Sequence, residues 1–234
     1  MIRLEGKVAI VSGGSRGIGR AIARALAAEG ATVVIAARDQ DTLARTVAEL
    51  RTGSASVEGL VADVGVEAQV AHLVQHVVHT HGRVDILVNN AGVGVFKPVA
   101  DLTVGEFDNM WGTNMRGVFL LTKAVLPHMI RAKGGEIVNI ASLAGKNSFK
   151  GGAGYCATKW ALRGFAGSLM LEVREHNIRV VTVCPGSVDT AFSTTGKKGN
   201  TITQPEDVAD AVIFAVTAPA RSMFSEIDVR PTNP

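Results

Sequence analysis

Residues 8–19 decide the fold, and they read Val-Ala-Ile-Val-Ser-Gly-Gly-Ser-Arg-Gly-Ile-Gly. The first four residues form a short apolar run that is typical of a buried strand, and the glycines that follow permit a tight turn. Apolar residues with helical spacing then continue over Gly17–Glu29. A strand that leads through a glycine loop into a helix predicts a βα unit at the start of a parallel sheet.

The same alternation continues along the chain. Short apolar runs predict strands at residues 8–11, 32–36, 56–61, 85–88, 137–140, 180–183 and 223–229. Longer periodic stretches predict helices at residues 17–29, 40–51, 67–81, 104–131 and 153–175, and a last helix that begins at Pro205. Because the strands are apolar throughout, helices should cover both faces of the sheet. We therefore predict an α/β chain with a single-domain Rossmann fold, a doubly wound parallel sheet of six to seven strands, in which residues 1–234 form one dinucleotide-binding and catalytic domain.

Composition excludes several classes of protein. The 234 residues carry a net charge of +3 without a long basic block, which argues against a nucleic-acid partner. No apolar run approaches the roughly 18 residues of a membrane span, and the start of the chain lacks the pattern of a signal peptide. Two cysteines cannot form a disulfide framework, so we expect a cytoplasmic protein. His72, His76 and His79 share a helical spacing, but the apolar residues between them should turn the histidines to solvent, and we predict no metal site.

The glycine loop predicts a dinucleotide site. Between the first strand and the first helix, glycines allow close backbone approach to a pyrophosphate, and the helix offers it unpaired N–H groups. We assign the following residues of this loop to cofactor binding: Gly13, Ser15, Arg16, Gly17, Ile18 and Gly19. The spacing, with three residues between the first two glycines, departs from the general pattern of such loops.

The end of the second strand bears on the choice between NADP(H) and NAD(H). An acidic residue there would bind a ribose 2′-hydroxyl, whereas an arginine would bind a 2′-phosphate. Arg38 is the first charged residue after the second predicted strand. Together with Arg16 it could bind a phosphate through charge-assisted hydrogen bonds. Asp39 is the acidic residue that could instead bind the 2′-hydroxyl, although Asp39 or Asp41 would also serve as the N-cap of the next helix. We favour NADP(H).

Tyr155 and Lys159 are the candidate catalytic pair. Four residues apart on a predicted helix, their side chains lie on one face, and a neighbouring ammonium would lower the pKa of a phenol from about 10. Ser142 follows the fifth strand, where its hydroxyl can bind a substrate carbonyl. Asn114 and residues 89–92 add polar groups at the same sheet edge.

Taken in order, these motifs resemble those of the short-chain dehydrogenase/reductase family over essentially the whole chain. The resemblance implies that Tyr155 is the proton donor, that Ser142 steadies the substrate oxygen, that Lys159 holds the ribose and tunes Tyr155, and that Asn114 positions a water. It further implies cofactor contacts by these residues: Asp63, Val64, Asn90, Ala91, Gly92, Tyr155, Lys159, Pro185, Gly186, Val188 and Thr190. The C-terminal residues 227–231 depart from the family pattern, which puts a family-like contact at that end in doubt.

The substrate stays open at this point. The nearest general resemblance is to 3-oxoacyl-(acyl-carrier-protein) reductases of fatty acid biosynthesis, and Arg131, Lys133 and Arg174 could meet an acidic carrier protein. Helix-end charges explain the same residues. Small ketones, sugars or steroids are alternatives, and so is a non-catalytic NADP-binding sensor. Lys197 and Lys198 could attract an anionic tail or simply be solvated. Family members pair through two long helices, here residues 104–131 and 153–175, so we expect a homo-oligomer, a tetramer or a dimer.

Overall fold

The computed structural model describes residues 2–53, 55–192 and 201–232. Lys197 and Lys198 lie outside the described residues. The strands are β1 (Val8–Ser12), β2 (Thr32–Ala37), β3 (Val57–Val61), β4 (Ile86–Asn89), β5 (Gly135–Ile140), β6 (Ile178–Pro185) and β7 (Glu226–Val229). The α-helices are α1 (Gly17–Ala28), α2 (Gln40–Leu50), α3 (Glu67–His81), α4 (Val104–Trp111), α5 (Gly117–Ala132), α6 (Ala153–Val173) and α7 (Pro205–Val216).

The strands form one parallel sheet in the order β3-β2-β1-β4-β5-β6-β7. The strand order reverses between β1 and β4, where Ile10 pairs with Leu87. Ligands bind in folds of this kind at the carboxyl ends of the strands beside such a switch point. The predicted Rossmann fold is confirmed, and the six to seven strands expected are seven in the described residues. This architecture places the ends of β1 and β4 beside the switch point.

Helices cover both faces of the sheet. Alternate residues of β1 enter two different cores: Ala9 and Val11 pack with α1, α2 and α7, whereas Val8 and Ile10 pack with α3, α5 and α6. This division explains why the strand reads as a continuous apolar run, since both of its faces are buried. Within the described residues, no helix is both long and apolar enough to span a bilayer.

Three predicted elements were wrong in their bounds. The stretch predicted as one helix over residues 104–131 is interrupted by a π-helical turn at Gly112–Arg116, between α4 and α5. The last strand begins at Glu226 and not at Met223. It is a short edge strand with only half-buried and exposed residues, so apolar Met223 and Phe224 misled a prediction that relies on hydrophobicity. The helix that carries Tyr155 ends at Val173, and a short 3-10 turn covers Arg174–His176.

Candidate active site

The glycine loop after β1 is shaped by close backbone contacts. Gly13 and Gly17 adopt positive φ values of 65° and 52°, a region that glycine enters without strain. A Cβ atom on Gly19 would lie 2.3 Å from the carbonyl oxygen of Gly13 and 2.4 Å from Nδ2 of Asn90. Residues other than glycine therefore do not fit here, and the loop presents bare backbone at the start of α1.

The first turn of α1 offers a binding place for an anion. Arg16 occupies the N-cap position but provides no side-chain cap, and the first turn holds no acidic residue. The N–H groups at the start of a helix lack intrahelical partners and carry partial positive charge. Ser15 is buried, and its carbonyl accepts a hydrogen bond from Thr46 Oγ1 at 2.7 Å, while Ile18 packs against the core. The hydrogen bond from Thr46 and the packing of Ile18 thus hold the loop in place, while the N-terminal end of α1 stays accessible to a pyrophosphate.

Arg38 follows β2 and points into solvent. Its side chain is 58% exposed, and Nη1 lies 3.8 Å from Oδ2 of Asp63. Of the two predicted caps, Asp39 and Asp41, it is Asp39 that is the N-cap of α2, and it accepts a 2.8 Å hydrogen bond from the backbone N–H of Thr42. Hydrogen bonds with Thr42, and the charges of Arg45 and Arg16, hold the pKa of Asp39 below its usual value. Asp39 is thus engaged in capping, and the charge of Arg16 in the glycine loop acts on its carboxylate.

The ends of β3 and β4 complete this side of the site. Asp63 Oδ1 accepts a hydrogen bond from the N–H of Gly65 at 2.9 Å, and Val64 is buried beside Gly117. Asn90 donates from Nδ2 to the carbonyls of Ser12 (2.9 Å) and Gly13 (3.1 Å). The turn after β4 is therefore fastened to the glycine loop.

Ser12 is a structural residue that the sequence reasoning missed. Its hydroxyl accepts from the N–H groups of Asn90 (3.0 Å) and Ala91 (3.1 Å), and it donates to the carbonyl of Val88 (3.2 Å). The side chain is only 1% exposed. A serine at the last position of β1 was a signal for such a clamp, because its hydroxyl faces the neighbouring strand at the switch point.

The segment after β6 closes over the glycine loop. Gly186, next to Pro185, donates its N–H to Val229 of β7 at 2.8 Å, and Val188 is buried and bridges to Thr203. A Cβ on Gly17 would lie 3.4 Å from Cγ2 of Thr190. The predicted residues of this segment therefore lie at the same edge as the loop after β1, and Thr190 reaches it directly.

Tyr155, Lys159 and Ser142 meet at the carboxyl ends of β5 and β6. Tyr155 is 8% exposed and Lys159 is 4% exposed. Nζ of Lys159 donates to the carbonyl of Ile140 at 2.9 Å and lies 5.7 Å from the centre of the Tyr155 ring. Ser142 accepts from the N–H of Ala144 at 3.1 Å, and its side chain is a hydrogen-bond partner of Tyr155.

Burial controls the ionisation of this pair. It raises the pKa of Tyr155 to about 12, with partial relief from the hydrogen bond with Ser142, and it lowers the pKa of Lys159 to about 8. Burial is the largest effect on the phenol, so in the protein's own groups its pKa lies above the usual value of about 10 and not below it. With a pKa of about 12, Tyr155 is a protonated phenol at neutral pH and has a proton that it can donate.

Asn114 lies in the π-helical turn between α4 and α5. Its side-chain amide accepts from the N–H of Val93 and donates to the carbonyl of Val93, both at 2.9 Å, and it donates to Oγ1 of Thr158 at 3.0 Å. A Cβ on Gly92 would lie 3.5 Å from Oδ1 of Asn114 and 3.8 Å from Nζ of Lys159. Single π turns often mark functional sites. This one aims Asn114 at the loop beside Lys159, with Thr158 as a partner that the sequence reasoning missed.

A charged network fastens the turn after Ser142 to the end of the sheet. Arg163, one helical turn beyond Lys159, donates to the carbonyl of Gly145 and to Glu226, both at 2.7 Å. Lys146 forms ion pairs with Glu226 and Asp228. The turn that carries Ser142 is thus tied to α6 and to β7. Asp228 belongs to the unusual C-terminal segment 227–231, and Glu226 directly precedes it, so this network ties the segment to the rest of the fold.

The remaining candidate residues are structural. His76 pairs with Glu58 at 2.6 Å, whereas His72 and His79 are exposed. Cys156 is buried beside Tyr155, and Cys184 is buried as well. Within the described chain, one group of metal-type ligands comes together, Cys184 with Glu226 and Asp228. Its two carboxylates are already paired with Lys146, and burial raises the pKa of the Cys184 thiol to about 11, so this group is a structural ion-pair network.

This arrangement agrees with the comparisons to known proteins. The family model described as short chain dehydrogenase matches residues 7–200. The chain belongs to the short-chain dehydrogenase family. An uncharacterized oxidoreductase of Staphylococcus aureus is 36% identical to this short-chain dehydrogenase, over 99% of this chain and 100% of the relative. The family places the chain among the oxidoreductases.

Two solved structures are similar over nearly their whole length. A metagenomic short-chain oxidoreductase in complex with NADP has 40% identity and a TM-score of 0.89, and covers 99% of this short-chain dehydrogenase and 100% of its own chain. The 3-ketoacyl-(acyl-carrier-protein) reductase from Brucella melitensis, complexed with NADH, has 32% identity and a TM-score of 0.89, with 98% of each chain covered.

Proposed function

We propose that residues 1–234 form one unit that binds NADP(H) and interconverts a carbonyl group and a secondary alcohol. The observation that carries this proposal is the convergence of Tyr155, Ser142 and Lys159 at the sheet edge beside the glycine loop. A protonated phenol and a serine hydroxyl that face the same place can bind and protonate a single oxygen atom.

The loop after β1 fits a dinucleotide. Its glycines leave no room for a Cβ where a pyrophosphate would approach, and the start of α1 keeps its N–H groups free of side-chain caps. Gly13, Gly17 and Gly19 would lie against the pyrophosphate, and Asp63 and Asn90 would lie along the adenosine half. When bound, NADPH supplies the hydride that adds to the carbonyl carbon.

The protein's own groups supply the rest of the reaction. Ser142 donates a hydrogen bond to the substrate oxygen, and Tyr155 transfers its hydroxyl proton to that oxygen as negative charge develops on it. Lys159 would hold the ribose hydroxyls of the bound cofactor, and its ammonium would stabilise the phenolate that Tyr155 becomes. Asn114 positions a water through which that phenolate regains a proton. In alcohol oxidation the steps run in reverse, and the hydroxyl proton of the alcohol passes to the phenolate of Tyr155.

Arg16 and Arg38 support NADP(H) over NAD(H). The Brucella reductase is described with NADH and the metagenomic enzyme with NADP, so the shared fold does not decide between the two cofactors. In this chain Asp39 is used as a helix cap, and exposed guanidinium groups are available beside it. A guanidinium binds a 2′-phosphate through two parallel charge-assisted hydrogen bonds.

A 3-oxoacyl thioester on an acyl carrier protein, as in fatty acid biosynthesis, is a second candidate substrate, and the similarity to the Brucella reductase favours it. The basic side chains that would meet the carrier also have local roles. Arg131 donates to His128 at 2.8 Å, and Lys133 ends α5 in the left-handed region. Small ketones, sugars or steroids are the alternative substrates. The alternative to an enzyme is a non-catalytic sensor that binds NADP(H).

Assembly and location follow from the same proposal. Phe119 of α5 and Trp160 of α6 are 46% and 49% exposed, on the two helices through which we expect a homotetramer or dimer to form. Cys156 and Cys184 are free and buried, which suits the reducing cytoplasm. Light scattering on the purified protein would measure the assembly, with a monomer contradicting it.

The Tyr155→Phe variant separates an enzyme from a sensor. Phenylalanine keeps the ring and its packing but removes the proton, so we expect loss of turnover with the NADPH dissociation constant nearly unchanged. Carbonyl-dependent NADPH oxidation and calorimetric titration with NADPH measure these two quantities. Undiminished turnover in this variant would refute the mechanism.

A further inference from the structure

Two phenylalanine rings contact the ring of Tyr155, and a third extends the group. Phe96 lies 5.2 Å from it in an edge-to-face arrangement, and Phe192 lies 5.8 Å from it. Phe149 extends the group through its contact with Phe96 at 5.8 Å, and Phe96 and Phe192 are 5.9 Å apart. We call Phe96, Phe149 and Phe192 the aromatic wall. These spacings are those of favourable aromatic pairs, so the rings hold one another in place.

Each ring of the aromatic wall comes from a different loop. Phe96 follows β4, Phe149 follows β5 and Phe192 follows β6, so all three stand at the carboxyl edge of the sheet where the reaction takes place. Glycines make room for them. A Cβ on Gly94 would lie 2.7 Å from the ring of Phe192, and a Cβ on Gly152 would lie 2.6 Å from the ring of Phe149. The rings therefore lie directly against backbone, in positions that the loops provide for them.

The aromatic wall is open to solvent on one side. Phe149 is 47% exposed and Phe192 is 43% exposed, whereas the hydroxyl-bearing Tyr155 beneath them is buried. Behind the wall lies an apolar cluster that includes Val93, Val95, Leu102 and Met110. Single exposed apolar residues are ordinary, but a cluster of exposed rings over a proton donor is typical of a surface that a ligand covers.

The charges in the same loops are mostly neutralised. The described parts of the loops contain three lysines. Lys97 pairs with Glu106 at 2.7 Å, and Lys146 pairs with Glu226 and Asp228. Lys150 is the third, and it is exposed at the outer end of its loop beside Phe149. Within the described parts of these loops, Lys150 is therefore the one lysine without an ion pair. Away from Lys150, a carboxylate or phosphate next to the reacting carbonyl would lose water without gaining a described lysine as a partner, which is costly.

We propose that the aromatic wall is the specificity element of this site, and that it selects ketones whose carbonyl carries an aromatic or other bulky apolar ring. This inference rests on the proposed function. The ring of the substrate packs against Phe96, Phe149 and Phe192, and its carbonyl oxygen points to Tyr155 and Ser142. Small, acidic or hydroxyl-rich carbonyl compounds leave the wall uncovered and are poorer substrates.

A series of methyl ketones tests the inference, since its members differ in a single substituent. Acetophenone, cyclohexyl methyl ketone, acetone and pyruvate carry phenyl, cyclohexyl, methyl and carboxylate groups, and an acetoacetyl thioester represents the acyl-carrier substrates. With NADPH, we expect kcat/KM for the two ring ketones to exceed that for acetone and pyruvate by at least about tenfold. Equal or better turnover of acetone, pyruvate or the thioester would overturn the inference and leave the proposed function standing. Turnover of none of the compounds, with NADPH bound, would overturn the proposed function itself.

Variants of the wall give the second arm of the test. Phe149→Ala is the cleaner variant because Phe149 contacts Phe96 but not Tyr155 in the described ring contacts. We expect it to lower kcat/KM for acetophenone by about tenfold while the value for acetone changes by less than about twofold. Phe214→Ala is the matched control, since it removes an exposed ring that contacts Phe224 at 4.4 Å, away from these loops. An equal loss for both ketones in Phe149→Ala, or no loss for either, would refute the role of the wall, and thermal denaturation checks that the variant is folded.

Discussion

The two sides of the site hold their functional groups in opposite ways. On the cofactor side, after β1, β2 and β3, the chain presents backbone and exposed arginines, and the side chain of Arg38 is 58% exposed. On the catalytic side, after β4, β5 and β6, Asn114, Tyr155 and Lys159 are at most 8% exposed and have fixed partners. In the proposed mechanism, the exposed charges select the cofactor, whereas the buried groups carry out the chemistry in a fixed geometry. Substitutions on the catalytic side should therefore lower turnover the most.

Ser142→Ala should have the largest effect of the four changes that follow. Loss of one hydrogen-bond donor to a developing oxyanion typically lowers kcat by roughly a hundredfold to a thousandfold. We expect that loss in steady-state kinetics, with the NADPH dissociation constant unchanged. Ser148→Ala, an exposed serine of the same loop, is the matched control. A fall in NADPH affinity as large as the fall in kcat would break the distinction between the two sides.

Gly19→Ala tests the backbone of the cofactor side. The added methyl group would meet the carbonyl of Gly13 and the amide of Asn90, so we expect the free energy of unfolding to fall by about 1–3 kcal/mol and NADPH binding to weaken. Urea denaturation measures the first effect and titration the second. Gly105→Ala is the control, because a Cβ there has no neighbour within 4 Å. Similar behaviour of the two variants would show that the close approach at Gly19 is unimportant.

Arg38→Ala tests the exposed charge. A hydrogen bond to a charged group contributes roughly 1.5–3 kcal/mol, so kcat/KM with NADPH should fall about tenfold to a hundredfold while the value with NADH hardly changes. Arg221→Ala, another exposed arginine, should leave both values as they are. If the wild-type protein turns over faster with NADH than with NADPH, the interpretation of Arg16 and Arg38 fails.

The pH dependence of reduction should show the smallest effect. Lys159 is charged below its pKa of about 8 and neutral above it, so its support for the phenolate of Tyr155 is present at neutral pH and is lost as the pH rises through about 8. Tyr155, whose pKa is about 12, stays protonated over this range. We expect kcat/KM for ketone reduction to decline above pH 8. A profile that is flat to about pH 10, where an ordinary lysine titrates, would contradict this role.

The fold was predictable because each of its main elements has a local cause. Apolar runs between helical stretches predicted a parallel sheet of six to seven strands, and the glycine loop predicted the βα unit at its start. The π turn at Gly112–Arg116 was missed because it leaves the apolar periodicity of the surrounding helices intact, and β7 was misplaced because an edge strand lacks a continuous apolar run.

The identity of the candidate site residues was predictable from residue type and spacing. Their properties were not, because these depend on which groups surround them in the folded protein. Family spacing indicated Tyr155, Lys159 and Ser142, but the pKa of Tyr155 depends on burial, which spacing does not reveal. The sequence does contain an indication of the aromatic wall, since three of the eight phenylalanines follow three consecutive strands. Loop conformation decides whether such rings meet, and no periodic pattern encodes it.

The most direct measurement is the stoichiometry of the reaction, with NADPH oxidation followed by its absorbance and the alcohol product quantified in the same sample. The account predicts one alcohol formed for each NADPH consumed, and no alcohol from the Tyr155→Phe protein even when it is saturated with NADPH. Tight NADPH binding without alcohol formation from any ketone or thioester would contradict it.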